Sequence, residues 1–213
     1  MQLSLHHIVP HHLRERLANQ PSDVWGKELV LQGGAVFVQA PSGAGKTTLM
    51  HILYGLRTDH DGTLQWDALQ PSKTDDATLS RLRATDVSIV FQDLRLFPAL
   101  TAWENIAVKM HLATAATEQD VLQWMQRLGI YHKKDAPAAT LSYGEQQRVA
   151  IVRALVQPFK WLLLDEPFSH LDSANRQQAI ALVADVVRQR NAGMILADLD
   201  ENNYFPYQQT LRL

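Results

Sequence analysis

The chain contains no cysteine, which excludes disulfides and thiolate metal sites and agrees with a reducing compartment. Excess charge is missing too: 20 Lys and Arg stand against 22 Asp and Glu, a formal net charge of −2 with pI near 6.5. Nucleic-acid-binding domains are usually basic, so no nucleic-acid partner is expected. No run approaches the roughly 18–20 apolar residues that cross a bilayer. The opening Met1-Gln2-Leu3-Ser4-Leu5-His6 lacks the charged and apolar regions of a signal peptide. A cytoplasmic protein is therefore expected, and any membrane role needs another chain to supply the membrane part. What is present is 213 residues with 46% hydrophobic and 20% charged content, enough for one ordered domain with a sizeable core.

Leu3, Leu5, His7 and Val9 alternate, which predicts an edge strand. Strands are expected over residues 27–31 and 35–39, split by Gly33-Gly34, with a helix over 46–56 and a short hairpin strand over 62–66. Residues 87–91 read as a buried strand ending at Gln92. Helices follow over 102–112, 118–128, 145–157 and 174–190, with strands over 161–165 and 194–197 and a last strand or tail to Leu213. Strands alternating with helices imply an α/β fold with a mostly parallel sheet flanked by helices. The N-terminal stretch adds an antiparallel β part. The helical character of residues 93–145 reads as a subdomain inserted into a single domain covering 1–213.

Three motifs carry the chemistry. In Ala40-Pro41-Ser42-Gly43-Ala44-Gly45-Lys46-Thr47-Thr48, Gly43 and Gly45 let backbone N–H groups close around a polyphosphate at a helix N-terminus. Lys46 would reach the β- and γ-phosphates, and the Thr47 hydroxyl would ligate Mg²⁺. The usual pattern opens with glycine, but alanine before proline is already confined to extended backbone, so Ala40 is tolerable. In Trp161-Leu162-Leu163-Leu164-Asp165-Glu166-Pro167, a strand buried on both faces delivers two acids to its C-terminal edge, where ligands collect in open α/β sheets. Phosphoryl transfer needs a metal near the phosphate oxygens and an acceptor orienting the nucleophile. In Leu141-Ser142-Tyr143-Gly144-Glu145-Gln146-Gln147-Arg148, Ser142 and Glu145 form a capping box, and Gly144 leaves the helix terminus open to a phosphate.

In this order the motifs resemble the ATP-binding subunit of ABC transporters, a P-loop NTPase, over nearly the whole stretch 29–198. The resemblance implies ATP and Mg²⁺ as cofactors. It makes Asp165 a Mg²⁺ holder, Glu166 the residue polarising the attacking water, and Gln92 a contact to both metal and water. It also implies a homodimer or heterodimer with another ATP-binding subunit, in which Ser142, Tyr143, Gly144 and Glu145 face the ATP of the opposite subunit. Ser169-His170-Leu171-Asp172 is similar to the loop bridging the two sites. Residues 97–106 resemble the segment that meets a transmembrane permease, placing the chain peripherally at the inner face of the cell membrane. Residues 82–92 and Leu100-Thr101-Ala102-Trp103-Glu104-Asn105 look most like the lipoprotein-release, macrolide-export and cell-division group.

The chain departs from that family at three places. Tyr143 replaces the first glycine of the signature. The histidine expected at the end of the strand after the acid pair is absent from Met194-Ile195-Leu196-Ala197-Asp198, its place falling to Ala197 or Asp198. Losing one preorganised donor typically costs on the order of 10²–10³ in rate, so a degenerate subunit that binds ATP but hydrolyses it slowly is an alternative. No Phe, Tyr or Trp occurs in residues 1–20 to stack on adenine, leaving His11, His12 or Trp25. The pairs His6-His7 and His11-His12 read as a solvated edge, since no carboxylate or thiolate sits among them. Soluble non-transport ATPases of the family carry long coiled coils or two such domains, neither of which fits 213 residues. An ordinary P-loop kinase has no use for residues 141–148.

Overall fold

The computed structural model describes residues 1–17 and 21–213. A three-stranded antiparallel sheet has the order β2-β1-β4, with β1 Leu3–Pro10, β2 Glu28–Leu31 and β4 His60–Trp66. A five-stranded parallel sheet runs β5-β6-β7-β3-β8, with β3 Ala35–Gln39, β5 Val87–Val90, β6 Trp161–Asp165, β7 Gly193–Asp198 and β8 Gln209–Arg212. The helices are α1 Arg14–Leu17, α2 Lys46–Leu53, α3 Asp76–Thr85, α4 Ala102–Leu112, α5 Glu118–Arg127, α6 Tyr143–Val156 and α7 Ser173–Gln189.

Alternation along the parallel strands explains the layers. Trp161 and Leu163 of β6, Ile195 and Ala197 of β7, and Val36 and Val38 of β3 face a core shared with α2 and the antiparallel sheet. Leu162, Leu164, Met194, Leu196 and Phe37 face the other core, closed by α4, α5, α6 and α7. A strand apolar on both faces is what a central parallel strand requires, and every residue of β6 is buried.

One expectation changes. β1 is the middle strand, pairing with β2 on one side and β4 on the other, because alternation reports which face is buried and not who the neighbours are. The stretch at 62–66 belongs to a longer β4 paired with β1, and it ends in a tight turn where Trp66 and Leu69 form an antiparallel bridge. Helix α3 was not anticipated. It is announced by Asp75, whose side chain accepts from the Thr78 N–H, but buries only Leu79 and Leu82.

Candidate functional site

The parallel strands β3, β6 and β7 end together at one edge, with Gln39 paired to Asp198 and Asp165 to Ala197. Glycine is required where β3 runs into α2. Gly45 has φ 102°, and a Cβ there would lie 2.7 Å from a Leu13 methyl. Beneath the turn, the Trp25 indole N–H donates to the Ala44 carbonyl at 3.4 Å. Trp25 is buried, so it supports the loop from below and presents no stacking platform.

A cavity of about 260 Å³ opens above the turn, lined by Ser42, Gly43, Gly45, Lys46, Thr47, Thr48, Gln92 and Glu166, with His12 and Leu13 at its rim. Ala44 is buried behind it. The Lys46 ammonium is buried, donates to the Ala40 carbonyl at 2.8 Å and lies 3.3 Å from the Glu166 carboxylate. Thr47 Oγ1 donates to Gln92 Oε1 at 2.9 Å, and Gln92 Nε2 lies 3.5 Å from Glu166 Oε2. Glu166 itself takes a left-handed φ of 47°, a conformation that costs a non-glycine residue on the order of 1–3 kcal/mol and clusters at functional sites.

Asp165 is 1% exposed, and neither carboxylate oxygen has a hydrogen-bond partner. Burial pushes its pKa up to about 6. The neighbouring Thr47 hydroxyl opposes this, although its hydrogen bond is directed to Gln92, and the Glu166 charge adds to it. An orphaned buried carboxylate beside a threonine hydroxyl and a glutamine carbonyl is a hard-oxygen donor set, which fits Mg²⁺.

At the neighbouring helix terminus, Ser142 caps α6. Glu145 accepts from the Ser142 N–H at 2.8 Å and its hydroxyl at 2.9 Å, while the Glu145 N–H donates back to Ser142 Oγ at 3.3 Å. The capping box expected from the sequence is formed. Gly144 is packed closely, since a Cβ there would sit 3.0 Å from the His170 carbonyl. These residues lie outside the 260 Å³ cavity. Ser169 Oγ bonds the Glu166 carbonyl at 3.2 Å, and Asp172 caps α7 by accepting from the Asn175 N–H at 2.9 Å.

Of the two residues at the end of β7, Ala197 is fully buried. Asp198 lies in the fields of Glu166 and Lys46, and burial raises its carboxyl pKa. The histidines separate as well. His12 lines the cavity rim, 3.3 Å from Thr48 Oγ1, whereas His11 lies against Asp61. His7 is 3.5 Å from Glu28.

Sequence reading missed Arg16, whose guanidinium donates to the Gly43 carbonyl at 2.6 Å. It also missed the buried Gln147, whose amide donates to the Glu166 carbonyl at 3.2 Å. Arg16 gave no local signal. Gln147 could have been flagged as a polar residue on the apolar face of α6, three and four positions before Ala150 and Ile151. A larger cavity, about 670 Å³, lies at the opposite end of the parallel strands beside Gly33, Arg188 and Phe205. Its lining holds no carboxylate, histidine or hydroxyl to do chemistry, so the smaller cavity is the candidate site.

Comparison with known proteins shows the family. A lipoprotein-releasing system ATP-binding protein of Legionella pneumophila (strain Lens) is 31% identical over 175 residues, covering 81% of this chain and 77% of the relative. An aliphatic sulfonates import ATP-binding protein of Bacillus subtilis (strain 168) is 34% identical over 166 residues, covering 77% of this chain and 62% of that protein. In fold, the chain is similar to the dimeric structure of MJ0796, a bacterial ABC transporter cassette, with TM-score 0.79 and 24% identity, covering 93% of this chain and 88% of that one. The family model described as ABC transporter matches residues 30–169, and the chain belongs to the ABC transporter family as an ATP-binding domain.

Proposed function

We propose that the chain is the ATP-binding and ATP-hydrolysing subunit of a membrane ABC transporter. It would pair with a second ATP-binding subunit, a copy of itself or a relative, around two ATP and drive a separate transmembrane permease. The observation that carries this reading is the convergence of Lys46, Thr47, Gln92, Asp165 and Glu166 at one sheet edge, with the orphaned Asp165 carboxylate among them.

Residues 42–48 would cradle the triphosphate, and Thr47, Gln92 and Asp165 would hold Mg²⁺. The ion would supply charge neutralisation at the phosphate oxygens. Lys46 now spends its donors on the Ala40 carbonyl and on Glu166. A γ-phosphate is a stronger, charge-assisted partner, so its arrival would draw Lys46 away and release Glu166. That carboxylate would then accept a hydrogen bond from the attacking water, with the Gln92 amide beside it.

Ser142, Tyr143, Gly144 and Glu145 would offer the α6 terminus to the nucleotide of the opposite subunit, with Ser169 and Asp172 between the two sites. The chain would form one domain, 1–213, whose helical part over about 93–145 meets the permease. Phe97 and Leu112, 52% and 68% exposed, support such a contact. Among the described residues no helix is long and apolar enough to cross a membrane, so attachment at the inner face would be peripheral. A second reading, slow hydrolysis in a regulatory role, is favoured by one observation, the Asp198 carboxylate near Glu166.

Lys46→Ala tests the reading. It should abolish the rise in melting temperature that ATP and Mg²⁺ give the parent chain, and an unchanged rise would contradict it.

A further inference from the structure

Tyr143 makes contacts that a glycine in its place could not. Its hydroxyl donates to the backbone carbonyl of Gln92 at 3.0 Å, across 51 residues of sequence. Its ring packs on the imidazole of His170 with centroids 4.3 Å apart. Gln92 needs such an anchor. It lies beyond the last residue of β5, its side chain is exposed, and the chain turns through left-handed Leu94 and Arg95 just after it. Yet its amide must stay between Thr47 at 2.9 Å and Glu166 at 3.5 Å. The same end of α6 also holds the other side of the site, since Gln147 donates to the Glu166 carbonyl at 3.2 Å and accepts from the His170 N–H at 3.2 Å.

We infer that Tyr143 is a positioning residue for hydrolysis, its hydroxyl anchoring Gln92 from the first turn of α6 so that the glutamine amide is held against Thr47 and Glu166. This rests on the reading above in which Gln92 serves Mg²⁺ and the attacking water. In that reading the α6 terminus faces the nucleotide of the second subunit, so the Tyr143 hydroxyl also ties one nucleotide site to the other. A movement of α6 on that nucleotide would carry Gln92 with it.

Tyr143→Phe removes the hydroxyl and keeps the ring on His170. Loss of one neutral hydrogen bond corresponds to roughly a three- to tenfold effect. We expect kcat to fall by that factor with KM within about twofold. The Mg²⁺ concentration giving half-maximal ATP-dependent thermal stabilisation should rise by about threefold, a binding measurement that needs no turnover. The melting temperature without nucleotide should fall by no more than about 2–4 °C. The same substitution is then made on Gln92→Ala. If Tyr143 acts through the glutamine side chain, it changes neither quantity further in that background. An unchanged kcat and Mg²⁺ midpoint in Tyr143→Phe overturns the inference, as does the full loss repeated on Gln92→Ala. Gln92→Ala alone separates the two levels. If it lowers kcat and raises the Mg²⁺ midpoint while Tyr143→Phe is silent, only the Tyr143 assignment fails. If Gln92→Ala is itself silent, the role of Gln92 fails with it.

Discussion

Asp165 and Glu145 are both carboxylates where an element meets a turn, and the fold treats them in opposite ways. Asp165, at the C-terminal end of β6, is buried with no hydrogen-bond partner, and burial lifts its pKa to about 6. Glu145, in the first turn of α6, accepts two hydrogen bonds from Ser142, whose backbone N–H is the main cause holding its pKa below the usual value. A helix N-terminus also favours the negative charge. The signature turn is therefore complete in itself, whereas the β6 end leaves a buried carboxylate without a hydrogen-bond partner. Unsatisfied polar groups are costly to bury, and sites that keep one commonly exchange stability for function.

The largest effect expected from that contrast comes from Asp165→Asn. It should lower Mg²⁺-dependent ATP affinity by on the order of 10²-fold, read by nucleotide titration with and without the ion. It should also raise the stability of the nucleotide-free chain near pH 7. The sign follows from linkage. A folded pKa near 6 lies above the unfolded value of 3.8, so the folded state holds its proton more tightly and stability falls as pH rises between the two. The group costs up to ~3 kcal/mol at neutral pH, and denaturant unfolding at pH 5 and 7 should show the parent losing stability where the variant does not. A destabilised Asp165→Asn chain would break the comparison.

Next comes Asp198→His, which replaces a negative charge near Glu166 by a donor. We expect kcat to rise roughly tenfold with ATP affinity within about twofold, because a donor of this kind acts mainly in the transition state. A parent rate already ordinary for the family, with no acceleration in the variant, would remove the slow-hydrolysis reading.

The smallest effect belongs to the satisfied terminus. Ser142→Ala removes the cap of α6 and should cost about 1 kcal/mol in denaturant unfolding near pH 7. Since the Glu145 pKa is lowered in the fold, its stabilisation is present above the unfolded pKa and lost as pH falls through the folded one. The penalty of Ser142→Ala should therefore shrink in acid, where that of the Asp165 charge disappears as well. A neutral Ser142→Ala would show that the cap contributes nothing.

The parallel core was legible in the sequence because its signals are local. Strands at 35–39 and 161–165 and the helix at 102–112 were read to the residue, the strands from their apolar runs; in the structure Thr101 caps the helix. Helix α3 was not, since two buried leucines give it little periodic signal. The position of β1 was misread because face alternation is silent on neighbours. In the site, the contiguous loop 42–48 and the acid pair were readable as motifs. The Tyr143 hydroxyl on Gln92, the Trp25 indole under Ala44 and the Arg16 guanidinium on Gly43 were not. Those contacts join residues brought together only by tertiary packing, and nothing in the local pattern of either partner announces them.

The central claim is that the β6 end is completed by Mg²⁺-ATP and closed by the α6 terminus of a second subunit. Glu166→Gln tests it most directly, since it should leave the nucleotide bound but unhydrolysed. Light scattering of this variant at high protein concentration should show a dimer with ATP and a monomer without it. Monomer in both conditions would contradict closure by a second copy of this chain.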